Sequence, residues 1–162
     1  MAYQKLQAGT ALVVIPSNNI NIPSPSDAIL STTGAITLTN TLAGTGTTFE
    51  DGSIKVGDII YHDGGAGQAL RITAIVSGIS LTVDDGAGGA VLNSAGGYTI
   101  YKDRNQACVL YVGVAGVLEV VMSNGQYASR VEFQAAANGY HPIQVKRVCS
   151  GRTTATDIIA LW

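Results

Sequence analysis

No window of this chain holds a helical period for ten residues or more, whereas short apolar runs alternating every second residue recur roughly every eight to twelve residues. Those two facts restrict the chain to an all-β fold. The expected strands are 10–15, 34–40, 55–62, 68–76, 79–84, 97–101, 107–114, 117–122, 129–134, 142–149 and 156–161. Asp51-Gly52, Asp63-Gly64-Gly65, Asp85-Gly86 and Asn124-Gly125 supply the turns, because Gly, Asn and Asp tolerate positive φ. Short strands with such punctuation build sandwiches or barrels, not βαβ units.

The last stretch carries the most detail. Ile143, Val145, Arg147 and Cys149 alternate with Gln144, Lys146 and Val148, as in a half-buried strand. Ser150-Gly151-Arg152-Thr153-Thr154 reads as a turn, and Asp157–Trp162 as a closing apolar strand. Ending on Ile158-Ile159-Ala160-Leu161-Trp162, the chain is expected to bury that end in its own sheet or against a neighbour.

Charge is scarce. Only 12% of residues are charged while 46% are apolar, roughly half the usual charged share, so part of the surface is expected to face other subunits. The net charge of −2 and the lack of a Lys/Arg block argue against direct nucleic-acid binding. Cys108 and Cys149 both sit in strand patterns and are expected to be buried, reduced thiols. The start, Met1-Ala-Tyr-Gln-Lys-Leu-Gln7, lacks the basic and apolar regions of a signal peptide. The longest apolar run, 107–118, is broken by Gly113 and Gly116 and is too short to span a bilayer as a helix. Synthesis in a cytoplasm, with no membrane partner, is the expectation.

Few residues could carry chemistry. His62 and His141 have no Cys or carboxylate pair at ligand spacing, so no metal is expected. Asp84-Asp85-Gly86 lacks the further acids and closing Glu of a calcium loop, and Gly86-Ala-Gly88-Gly89 lacks the Lys of a phosphate loop. No nucleophile elbow is present, so neither catalysis nor a cofactor is expected. Tyr98, Tyr101, Tyr111, Tyr127, Tyr140 and Trp162 could form a sugar-stacking platform, although strand aromatics more often pack. Arg130, Lys146, Arg147 and Arg152 gather nearly half of the nine cations and are candidates for contact with an acidic partner surface. Ile158, Leu161 and Trp162 complete the interface candidates.

Leu110-Tyr-Val-Gly113, Pro142-Ile-Gln-Val-Lys-Arg-Val148 and Thr153-Thr-Ala-Thr-Asp-Ile-Ile-Ala-Leu-Trp162 together resemble small virion proteins of tailed bacteriophages, including the head-spike base of gene transfer agents. The likeness spans roughly 106–162. Val14-Ile-Pro-Ser-Asn18 is similar to a segment that family places almost directly before its "LYVG" strand, with Asn18 where an Asp is common. Between the two, Gly57-Asp-Ile-Ile-Tyr61, Ala69-Leu-Arg-Ile-Thr-Ala-Ile-Val-Ser77 and Ser80-Leu-Thr-Val-Asp84 resemble a small barrel of phage structural proteins. The resemblance implies an antiparallel β-sandwich or jelly-roll-like outer module, 1–26 and 105–162, interrupted by an SH3/OB-like β-barrel at 27–104. Ile59, Leu70, Ile72, Ile75, Leu81, Val83 and Ile100 should form one core. Val13, Ile15, Leu110, Val112, Val120, Val131, Val145 and Ile159 should form the other. It further implies a non-enzymatic decoration or cement protein on the capsid, partnered by itself, with a trimer favoured, and by the major capsid protein. A carbohydrate-binding spike or tail-tip module is the alternative, in which barrel aromatics would be exposed rather than buried.

Overall fold

The computed structural model describes residues 9–37, 40–124 and 129–162. Among these residues, twelve antiparallel strands form two bodies. β1 (Ala11–Val13), β8 (Cys108–Val114), β9 (Gly116–Met122), β10 (Arg130–Ala135), β11 (Gly139–Val148) and β12 (Thr156–Leu161) make a six-stranded sheet, ordered β1-β12-β8-β11-β9-β10. β2 (Ala28–Thr37), β3 (Thr41–Gly44), β4 (Ile59–His62), β5 (Gln68–Ser77), β6 (Ser80–Asp84) and β7 (Ser94–Tyr101) close into a barrel, β2-β3-β6-β5-β4-β7. A single 3-10 turn, Pro25–Asp27, leads into the barrel, with Ser24 as its N-cap.

The sheet bends at β11. From His141 to Val145 the strand advances four positions against two on β8 (Leu110 to Cys108), and Val145 then also pairs with Met122 of β9. A second irregularity follows between Val145 and Arg147. Bulges of this kind curl a strand and break its in–out alternation. One half of β11 therefore lies along β8 and the other along β9, so Leu110 and Val112 share a core with Leu118, Val120, Val145, Val148, Ile158 and Ala160.

The barrel core contains Ile36, Leu42, Phe49, Ile60, Leu70, Ile72, Leu81, Val83, Tyr98 and Ile100, with Ile75 packed at its margin. Glycines create the space for the large rings. Gly34 lies opposite both Gly44 and Gly96, and a Cβ on Gly34 would come within 2.8 Å of the Tyr98 ring. Small strand residues mark such close approaches.

A third cluster joins the bodies: Ile20, Ile59, Tyr61, Ala69 and Tyr101, with Leu12 and Ile15 against it. The two chain crossings lie side by side. Asp27 pairs with Arg104 at 3.3 Å, accepts from Gln106 Nε2 at 2.7 Å, and its carbonyl accepts from Lys102 N–H at 3.0 Å.

Several expected core positions are corrected. Val13 is 67% exposed and Ile159 half-buried on the far face, because Leu12 and Ile158 take the inward positions. Val131 lies opposite Val120 on the core side, but on the edge strand β10 it is left 38% exposed. Ile59 and Ile15 serve the joint, not either core. The expected strand 34–40 overlaps only the end of β2, which begins at Ala28, with 38–39 outside the described residues, and β3 (Thr41–Gly44) was not expected. Gly125 and Tyr127 also lie outside them.

Candidate assembly surface

The four candidate cations do not form one patch. Lys146 and Arg147 are buried, in the part of β11 past the bulge along which residues 17–22 are laid. Neither can meet an outside surface. Arg147 instead clamps the irregular segment before the barrel. Its Nε and Nη2 donate to Asn21 Oδ1 at 3.1 and 2.8 Å, and its Nη1 donates to the Asn18 carbonyl at 2.8 Å. Backbone bonds from Ser17 N–H to Val148 O and from Ile22 N–H to Lys146 O lay the same segment along β11. Arg130 and Arg152 are exposed. Arg130 reaches Glu119 at 3.5 Å and Asn18 Oδ1 at 3.2 Å, and Arg152 reaches Glu132 at 2.6 Å. Exposed pairs of this type contribute about 0–1 kcal/mol.

Of the candidate terminal residues, Ile158 is buried in the sheet core, whereas Leu161 and Trp162 are half-buried. Trp162 packs against the core, and its N–H and C=O pair with Thr10 and Gly9.

An apolar row lies on the opposite face of the sheet. Val13 lies opposite Ile159, Ile159 opposite Tyr111, and Tyr111 opposite Tyr140. Directly opposed residues in an antiparallel pair point to the same face. The row therefore crosses four strands without a charge, and Ala11, Leu161 and Val109 form a second row beside it. Tyr111 and Tyr140 pack edge to face at 5.3 Å, and the Tyr111 hydroxyl hydrogen-bonds Asn138 Oδ1 at 3.3 Å. Tyr140 is 71% exposed. The sequence named Tyr111 and Tyr140 only as stacking candidates and Val13 and Ile159 as core, not as one surface row. Its signal was β8 itself, Cys108-Val-Leu-Tyr-Val112, apolar on both faces where a one-sided strand alternates.

The two sheet edges differ. β10 carries Arg130 and Glu132, charges that guard an edge against pairing. β1 carries Ala11, Leu12 and Val13. Beside it is a cleft of ≈ 450 Å³, walled across from Leu12, Val13 and Ile15 by Ser31, Tyr61, Asp63, Thr99 and Tyr101 of the barrel body.

Tyr98 is turned into the barrel core, and Tyr61 and Tyr101 into the joint between the bodies. Tyr61, Tyr98 and Tyr101 are buried, and burial pushes the Tyr98 phenol up to about 12 and raises those of Tyr61 and Tyr101. Burial likewise raises the Cys108 thiol to about 12 and lifts that of Cys149; both are unbridged. His62 is fully buried, its Nδ1 accepting from Gly64 N–H at 3.0 Å. The Asp84 and Asp85 carboxylates accept N–H bonds from Gly86, Ala87, Gly88 and Gly89 of their own loop. Among the described residues, no group of three or more His, Cys, Asp or Glu is placed to hold a metal ion. No helix among them is long and apolar enough to cross a membrane.

No protein-family model matches the chain, and comparison with curated proteins and with solved structures finds no significant match to either.

Proposed function

We propose that the chain is a non-enzymatic structural protein of a tailed-phage virion, decorating or cementing the capsid or forming a head-spike base, as a homo-oligomer built through its sheet. The observation that carries this reading is the uncharged row Val13–Ile159–Tyr111–Tyr140 across four strands, exposed at Val13 and Tyr140 and half-buried at Ile159 and Tyr111. Contiguous apolar patches of this kind mark contact sites with other proteins. The terminal motifs that resemble virion proteins lie on the strands that build this face, β8, β11 and β12. Burial of Tyr61, Tyr98 and Tyr101 supports adhesion over the glycan-binding alternative, which needs exposed rings on the barrel.

Adhesion here means burying this face against another copy or the shell, with three copies the favoured number. Light scattering of the purified protein should return a multiple of 16.6 kDa, and Tyr140→Glu combined with Ile159→Lys should return the monomer. Mass spectrometry of purified particles should find the chain in them. A wild-type monomer that is absent from particles would overturn the proposal.

A further inference from the structure

The open edge of β1 is a different feature from the apolar row, and it calls for a different occupant. Val14 N–H donates to Ile158 O and Trp162 N–H donates to Thr10 O, so the even-numbered residues of this segment face β12. In an antiparallel ladder the intervening residues turn their N–H and C=O the other way. Ala11 and Val13 therefore present two donors and two acceptors to the outer edge, and β1 pairs with no strand but β12 among the described residues. Leu12 and Val13 point to opposite faces, yet both line the ≈ 450 Å³ cleft, so the cleft runs along the edge of the strand. Ile15, the next odd-numbered residue, lines the same cleft.

The far wall is also built for a peptide. Ser31 lies opposite Thr99 and Thr99 opposite Tyr61, placing a row of hydroxyl-bearing side chains outside the barrel, facing β1. Asp63 is the one charged residue lining the cleft, and it makes no ion pair among the described residues. Gly96 and Gly97 leave room for its carboxylate: a Cβ on either would come within 2.8 Å of it.

We infer that Ala11–Val13 is a strand-addition site: an extended segment of another protein chain pairs with the free edge of β1 inside this cleft and sets a Lys or Arg side chain against Asp63. Main-chain bonds give such a site its affinity, and the wall gives its preference. A basic, extended peptide fits better than a sugar, because Tyr61 and Tyr101 are buried and offer no ring face. The inference rests on the edge geometry and stands apart from the virion reading, which concerns the apolar row.

The test titrates the isotope-labelled full chain with an acetylated, amidated pentapeptide, Thr-Val-Lys-Val-Thr, and follows backbone amide resonances. The Ala11 and Val13 amides should shift saturably and gain protection from hydrogen exchange. N-methylating alternate peptide residues removes the pairing donors and should weaken binding about ten-fold or more. Val13→Pro deletes an N–H that points outward, which an edge strand tolerates, and should weaken binding about two- to ten-fold. Asp63→Asn should weaken the lysine peptide about two- to five-fold while leaving its alanine counterpart unchanged. Should Val13→Pro fail to fold, the N-methylated peptide tests the same bonds on the unaltered protein. The inference is overturned if no saturable shift appears up to millimolar peptide, if the N-methylated peptide binds equally well, or if maltotriose shifts these amides and the peptide does not.

Discussion

Replacing Arg147 by Met keeps the side-chain length and removes the guanidinium, and the structure gives the cost. Arg147 is 3% exposed and Asn21 5%, so the bonds between them are shielded from water. Without the guanidinium, Asn21 Oδ1 and the Asn18 carbonyl each lose a charged donor. A buried acceptor left without its donor costs about 1–3 kcal/mol, so Arg147→Met should destabilise by about 2–5 kcal/mol. Buried ion pairs are often replaced by apolar residues at no cost. Here the partners are an amide and a backbone carbonyl that stay in place and stay buried. Urea unfolding at matched m-value is the assay, with hydrogen exchange reporting on residues 19–24. Arg147→Lys supplies a single ammonium in place of a fork and should cost less. Arg147→Met with Asn21→Leu should cost less than the two changes summed, because the orphaned amide oxygen is gone. The reasoning fails if Arg147→Met unfolds within about 0.5 kcal/mol of the parent, or if it is more stable.

Alkali should destabilise the protein. Cys108, held at about 12, Cys149 and the phenols of Tyr61, Tyr98 and Tyr101 all ionise higher in the folded chain than in the unfolded one. Their stabilisation is complete below the ordinary thiol value of 9.0 and is lost as pH rises toward the folded values; a melting temperature flat from about pH 8 to 11 would contradict this. Gly34→Ala would put a Cβ 2.5 Å from the Ala43 carbonyl oxygen and 2.8 Å from the Tyr98 ring, and should cost about 1–3 kcal/mol in thermal unfolding; an unchanged melting temperature would show that the barrel yields there. Deleting 157–162 removes the strand that holds β1 to β8, together with buried Ile158 and Ala160; a soluble product with the parent's melting temperature would show that β12 is dispensable.

Strand positions were legible because alternation and turn residues are local. β5, β6, β8, β9 and β12 lie within about two residues of their expected bounds, the usual uncertainty of such boundaries. What the alternation of β11 could not reveal was its bulges, which depend on two different partner strands. Extrapolating the period through 143–149 put Lys146 outward; the observed register buries Lys146 and Arg147 alike. Val13 and Ile159 were misplaced for a related reason. An apolar residue in an apolar strand says that a face is oily, not whether this chain covers it. Neither the β1 edge nor its cleft could be read from the sequence, because the wall opposite Val13 comes from residues 31, 61, 63, 99 and 101.

Scarce charge takes on a more specific meaning once its location is known. Arg104, Arg130 and Arg152 are paired with Asp27, Glu119 and Glu132, and Arg147 is enclosed. On the sheet body, salt-dependent attraction to an acidic partner would draw on Arg130 and Arg152 at the β10 side, already engaged within the chain; the exposed Lys55, Lys102 and Arg104 belong to the barrel segment. The opposite side of the sheet carries the uncharged row and the unguarded β1 edge. Association there would bury apolar area and complete backbone pairs, so it should resist salt, since screening weakens exposed charges and leaves apolar burial intact. An oligomer that dissociates as salt is raised from about 0.05 to 1 M would place the interface on the arginines instead.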